Sequence, residues 1–537
     1  MQEKPSRSRH ARSRSRSGSR SASSGRRQSL PRVKSSPRLV RTISADLDIS
    51  QTLGHLNLDG GPHETIDVPF VKGTLNVTLP LEYLKKDVLN LAQALRVPKW
   101  YNKKSNTTHL KPESVSMTKI TCALTNAIFK VQYPTLPSLL LRVYGPNVVN
   151  LIDRDYELQV IARLSSHNVG PKLYGCFTNG RFEQFLENSR NLLAEEVREW
   201  KTSQRIARRM KELHCGVPLL PFEVAQGSCS LQRLDKWIKS ISGSKWCKDG
   251  KNVRKNLMCK DWPFFLDAVA RYRAWLDEAY QDGPHSLVFC HNDAQHGNLL
   301  LSSPVVPSAA TPVSSAASAD TCDSLFPTSS NVSLEQIIRP SNQEKQQDSK
   351  LIVIDFEYAG ANRAAFDLAD HFCEWTCDYN SAEPSKADAS IYPNKEELLN
   401  FMYSYASHKR QPQQKSIDEE VKDLYNDVIR QRGSVNLHWA TWGIIQSGAL
   451  NEVKKEKAVE EGPGGEKYVI TFDSDGEEAG ADGDDVTEGV DSDSFDNLDF
   501  GRERMAIFWG DMLQLGLVNK EELPDCHDVK YLDITFL

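Results

Sequence analysis

Between His291 and Asn298 the chain reads His-Asn-Asp-Ala-Gln-His-Gly-Asn, and 57 residues beyond Asn298 it reads Asp355-Phe356-Glu357. A carboxylate such as Asp293, on a short polar loop, can take the proton of a hydroxyl that is about to act as a nucleophile. Asn298 offers an amide oxygen and Asp355 a carboxylate oxygen to a hard divalent cation such as Mg²⁺, with Glu357 as a further oxygen ligand. A base beside such a cation site suits phosphoryl transfer, in which the acceptor must be oriented and charge on the phosphate oxygens neutralised.

Each signature follows a short apolar run, Leu287–Cys290 in one case and Leu351–Ile354 in the other, and both runs are predicted as buried strands. The stretch 302–350 is rich in Ser, Pro and Ala and reads as a flexible insertion; without it the strands become neighbours in a hairpin. Together the two signatures match the H-x-D-x-x-x-x-N catalytic loop and the Asp-Phe-Gly triplet of kinases, with Glu for Gly. Two departures separate the chain from protein kinases. No G-x-G-x-x-G loop precedes the first strand, where Ile120–Asn126 stands instead, and no A-P-E segment follows Asp355. Arg142, in LLLRVYG, takes the place of the phosphate-binding lysine, with Glu157 as its expected ion-pair partner. The acceptor is therefore expected to be a small molecule.

The flanking pattern supplies a frame. A helix is predicted near 80–98, strands over 127–133 and 138–145, a helix over 153–168, and short apolar runs at 173–174 and 185–186. This is the order of a small nucleotide-binding lobe. Beyond Asn188 the pattern is helical, over 191–214, 231–241, 263–281, 364–377, 395–405, 417–450 with a break near Arg432, and 502–517. The expected fold is α+β and two-lobed, with residues 61–187 as the nucleotide lobe and 188–537 as the helical catalytic and substrate lobe.

Charge is segregated. Residues 1–42 hold 13 Lys/Arg against one acid, whereas 473–499 hold 12 acids and no base. Such segments bury too little apolar surface to offset the entropy of ordering, so the tail 1–60 and an insert near 451–497 are expected to be disordered. The tail, with RSRSRS and with Ser29 and Ser44 each three residues after an arginine, reads as a phosphorylated regulatory segment. An anionic membrane surface is an alternative partner. Specific nucleic-acid binding is not expected, because no aromatic platform accompanies the arginines. No run of about 18 apolar residues predicts a membrane span, and the first residues lack a secretory pattern. The 11 cysteines form no C-x-x-C pair and are read as reduced and mostly buried.

HNDAQHGNLL followed by LIVIDFEYAGANRAAFDLADHFCEW closely resembles the choline/ethanolamine kinase family, most like its fungal type. LLLRVYG, VGPKLYGCFTNGRFEQFL, RIARRMKELH and LHWATWGIIQ extend the resemblance over roughly residues 115–520. The resemblance implies the protein-kinase-like fold of the aminoglycoside-phosphotransferase branch. It implies ATP-dependent phosphorylation of choline to phosphocholine, the first step of the CDP-choline route to phosphatidylcholine, in the cytoplasm and with a homodimer as a common state. It makes Asp293 the base, Asn298 and Asp355 the Mg²⁺ ligands with Gln295 and Glu357 beside them, and Arg142 the phosphate contact. The turn at Thr125-Asn126 and the segment containing Gln184 and Leu186 would frame ATP. Tyr358, Glu374, Tyr379, Trp439, Trp442 and Phe500 would line the choline pocket. Such a pocket is sensible on its own terms, since a quaternary ammonium donates no hydrogen bond and is held by π faces near carboxylates. Ethanolamine, a primary ammonium, is the competing substrate. A catalytically inactive kinase fold serving as an interaction platform is the alternative from another class.

Overall fold

Strand-forming and helix-forming runs separate along the chain, and the computed structural model assembles them into two lobes. It describes residues 53–537 apart from 62–63, 106, 121–125, 145–153, 168, 281–286, 303–333, 412–414, 451–455, 462–466, 473–494 and 524–526. The first lobe comprises β1 (Leu53–Gly61), β2 (Glu64–Val71), α1 (Leu81–Ala94), β3 (Ser116–Ile120), β4 (Asn126–Tyr133), β5 (Leu136–Tyr144), α2 (Arg154–Ser166), β6 (Leu173–Phe177) and β7 (Gly180–Gln184). Its strands form one sheet in the order β1-β2-β6-β7-β5-β4-β3, in which the β2–β6 pair is parallel. Helix α1 buries Leu84, Val88 and Leu91 in a core with Val131, Leu139, Leu141 and Phe182.

Strand β1 corrects an expectation, because it lies within the stretch 1–60 read as disordered. Leu56 and Leu58 alternate with polar residues, and both pack on a core of Val68, Ala162 and Cys176. A basic neighbourhood hides this period of two when composition is averaged over 60 residues. Residues 1–52, including Ser29 and Ser44, lie outside the described residues.

The second lobe runs β8 (Ser189–Asn191), α3 (Trp200–Gly216), α4 (Pro221–Gln226), α5 (Cys229–Gly243), α6 (Gly250–Leu257), α7 (Trp262–Ala279), β9 (Leu287–Cys290), β10 (Leu299–Ser302), α8 (Leu334–Ile338), α9 (Asn342–Asp348), β11 (Leu351–Val353) and β12 (Gly360–Arg363). It continues through α10 (Ala364–Glu374), α11 (Lys395–Ser407), α12 (Ile417–Gln446), β13 (Glu456–Glu461), β14 (Lys467–Phe472) and α13 (Asn497–Gln514). The helix expected from 191 starts only at Trp200, because Ser189–Asn191 pair with β10 as a strand.

Three further expectations change. The insertion 302–350 is ordered at its end: Ile337 is fully buried, and Arg208 grips Asp348 at 2.6 and 2.8 Å. Residues 303–333 lie outside the described set. Within 451–497, β13 and β14 pair as an antiparallel hairpin, and Asn497 opens α13. Helix α12 runs unbroken through Arg432-Gly433. Gly433 marks a close approach rather than a break, since a Cβ there would meet the Tyr272 ring at 2.7–2.8 Å. Arg432, fully buried, instead ties α12 to Asp511 of α13, with Nε donating at 2.8 Å.

Candidate active site

The two signature loops meet because their strands pair. Leu299 lies opposite Val353 in the β10–β11 pair, and Ile354 N–H donates to the Asn298 carbonyl at 3.0 Å. Asn298 and Asp355 are thereby brought side by side across the long sequence gap. Asn298 Nδ2 donates to Asp293 Oδ2 at 2.8 Å and to the Asp293 carbonyl at 3.0 Å. That commits the amide nitrogen to the loop and leaves the amide oxygen as the group suited to a cation. Asn292 and Asp355 have φ of +62° and +61°. Non-glycine residues held in this left-handed region cluster where a fold forces a functional side chain into place.

Helix α10 is the brace behind the loop. Asp367 accepts the backbone N–H groups of His291 at 2.9 Å and Asn292 at 2.6 Å, and Asp370 accepts that of Ala294 at 2.8 Å. His371 donates through Nδ1 to the Ala294 carbonyl at 2.8 Å and accepts the Trp375 indole N–H on Nε2 at 3.2 Å, a neutral tautomer. Burial pushes its pKa down to about 4. Burial and the carboxylates of Asp370, Glu374, Asp355 and Glu357 push the Asp293 carboxyl well above the usual range. A site with so many acids, with Asp293, Asp370 and Glu374 buried, is built to receive positive charge.

Asp293, Asn298, Asp355, Glu357 and Glu374 line a cleft of about 820 Å³ between the lobes, and the cleft collects most of the expected site residues. On the side of the first lobe lie Arg142, Gln184 and Leu186; at the centre Asp293, Gln295, Asn298, Asp355 and Glu357; beyond them Tyr358, Glu374, Tyr379, Trp439, Trp442 and Phe500. Thr125 lies outside the described residues, and Asn126 opens β4. Glu157 is not among the lining residues, and its role is corrected. Its carboxylate stands 2.9 Å from Arg181, while Arg142 reaches Asp355 at 3.5 Å and Glu183 at 3.9 Å. Arg181 also pairs with Glu183 at 2.6 Å. Arg181, a second buried arginine two residues after the Thr178-Asn179 turn, makes the close ion pair with the glutamate expected to hold Arg142.

The aromatic wall is continuous. Ring centroids lie 5.4 Å apart for Tyr358–Trp439, 5.6 Å for Trp439–Trp442, 5.7 Å for Trp442–Phe500 and 6.5 Å for Tyr379–Phe500. Both indole N–H groups are committed, Trp439 to Asp370 at 2.7 Å and Trp442 to the Tyr358 hydroxyl at 2.8 Å. Fixed in this way, the rings are core and pocket wall at once. The Tyr379 hydroxyl donates to Glu374 at 2.7 Å. Sequence reasoning missed Asp370, His296, Phe495 and Arg504. Asp367 and Asp370, two acids in the helical stretch DLADHF beside apolar Leu368, Ala369 and Phe372, carried a readable signal, because a buried carboxylate needs donors. Arg504 and Phe495 carried none.

A β-sheet lobe over a helical lobe, with an Asp–Asn loop and a second aspartate meeting in the cleft between them, defines a phosphotransferase of the kinase-like class. Comparison with known proteins narrows this. The model of the choline/ethanolamine kinase family matches residues 117–509, and that of the choline kinase N terminus matches 63–106. The chain belongs to the choline/ethanolamine kinase family. It is 47% identical to a choline kinase of Saccharomyces cerevisiae over 96% of each chain, and 35% identical to an ethanolamine kinase of the same yeast over 88% of this chain and 84% of that one. Among solved structures, an ethanolamine kinase of Plasmodium vivax shares the fold at a TM-score of 0.51 and 17% identity, covering 82% of this chain and 90% of that one.

Proposed function

We propose that the chain transfers the γ-phosphoryl group of ATP to the hydroxyl of choline, feeding phospholipid synthesis from the cytoplasm. The observation that carries this reading is the joining, in one cleft, of Asp293 with an aromatic wall and the Glu374 carboxylate. Five rings and an acid suit a trimethylammonium group, each cation–π contact being worth about 0.5–2 kcal/mol. Asp293 would accept the choline hydroxyl proton, with the Asn298 amide fixing its carboxylate. Arg142, buried beside Asp355, would meet the phosphates with its planar fork.

The donor set of Asn298, Asp355 and Glu357 is oxygen only, which fits Mg²⁺. When bound there, the ion would neutralise charge on the phosphate oxygens. Ethanolamine is the second acceptor to consider, favoured by the acids around Glu374 and by the ethanolamine kinase relative. The N-terminal basic tail is read as a phosphorylated regulatory segment and the enzyme as a homodimer. Among the described residues no helix is long and apolar enough to cross a membrane. The test is transfer of labelled phosphate from ATP to choline and, separately, to ethanolamine. A kcat/KM for choline at least about tenfold higher supports the aromatic pocket as the determinant; preference for ethanolamine overturns it.

A further inference from the structure

Arg504 of α13 is fully buried behind the aromatic wall. Its Nη2 donates to Glu374 Oε1 and stands 3.3 Å from Cys377 Sγ and 3.5 Å from the Tyr379 hydroxyl. Its guanidinium lies 4.8 Å from the centre of the Phe500 ring, while Nε and Nη1 have no hydrogen-bond partner among the described residues. A buried cation with two idle donors is a poor way to stabilise a core, where an apolar side chain of similar size often does as well or better. Its presence next to a pocket for a cation calls for another account.

We propose that Arg504 is a positioning residue of the substrate site, pinning Glu374 as a fixed anion that recognises the positive charge of the acceptor. This rests on the reading of the pocket given above. Glu374 receives one donor on each oxygen, Arg504 on Oε1 and Tyr379 on Oε2. A carboxylate held from both sides keeps one orientation. It loses nothing when a quaternary ammonium enters, because that group donates no hydrogen bond and asks only for charge near π faces. Arg504 also offsets the repulsion between Glu374 and its acidic neighbours Asp370 and Asp293. Without it, Glu374 would turn away from them, and the pocket would recognise shape but not charge.

The experiment uses the full chain and two acceptors: choline, and its neutral carbon isostere with a tert-butyl group in place of the trimethylammonium. KM and kcat are measured for each in wild type, Arg504→Met and Arg504→Lys, together with the KM for ATP and thermal unfolding. Wild type should favour choline. In Arg504→Met that preference should fall about tenfold, through the KM for choline, with the KM for ATP held within about twofold. Arg504→Lys, which keeps charge but offers a single point of contact, should retain part of the preference. A folded Arg504→Met with undiminished preference overturns the proposal. If Arg504→Met does not fold, Arg504→Lys decides alone: a drop of about threefold supports the assignment and an unchanged preference overturns it. Wild type that takes both acceptors equally overturns the pocket reading itself, and this proposal with it.

Discussion

Asp370 joins the two halves of the site through one carboxylate, and replacing it with asparagine should expose that junction. Oδ2 accepts the Ala294 N–H at 2.8 Å and Oδ1 the Trp439 indole N–H at 2.7 Å, with the residue fully buried. An asparagine has one acceptor oxygen, so its NH₂ must face one of these two donors. One charge-assisted hydrogen bond is lost and one buried donor is stranded, a gross cost of about 2–4 kcal/mol. Burial and the adjacent Glu374 already push the Asp370 carboxyl upward in pKa, so removing its charge relieves some repulsion. The net loss should therefore lie near the lower end, about 2 kcal/mol. The clash depends on Trp439. In Trp439→Phe the indole donor is gone, the asparagine oxygen can serve Ala294, and the NH₂ faces no opposing N–H. A double-mutant cycle by urea denaturation of the full chain should give a coupling of about 1–2 kcal/mol, the double variant being less destabilised than the sum of the singles. Additivity within about 0.5 kcal/mol would refute the bridging role.

Other consequences can be checked separately. Trp442→Leu removes a ring and strands the Tyr358 hydroxyl that accepts its N–H; the KM for choline should rise about 5–30-fold with the KM for ATP little changed, and equal rises in both would argue against a choline wall. His371 is neutral when folded, with its pKa depressed from 6.5 to about 4. Between those values this group binds a proton in the unfolded chain but not in the folded one, so its own contribution to stability should fall as pH drops, by about 2 kcal/mol at pH 5, against the opposite contribution of the raised Asp293 and Asp370 carboxyls. His371→Gln should remove that contribution, and a variant whose urea midpoint follows the wild-type pH dependence from about pH 7 to 5 would contradict the assignment.

Local chemistry made much of the site readable. The spacing of Asp293 and Asn298, the apolar runs before each signature and the three-residue interval between Trp439 and Trp442 are local patterns, and the structure brings these groups into one cleft. What was not legible depends on partners distant in sequence. Glu157 has an arginine 24 residues downstream as its partner, and no local pattern distinguishes Arg181 from Arg142 as its mate. Arg504 reaches Glu374 across 130 residues. The ordered end of the 302–350 insertion depends on Ile337 and Asp348 docking on the helical lobe, which averaged composition conceals.

The most direct test of the account is single-turnover phosphoryl transfer to choline by Asp293→Asn, with binding of ATP and choline measured on the same protein. Asparagine keeps the size of the side chain but cannot accept the hydroxyl proton. The transfer rate should fall about 10²–10⁴-fold while both ligands still bind within a few-fold of wild type. A folded variant that binds both and transfers phosphate within about tenfold of the wild-type rate would contradict Asp293 as the base.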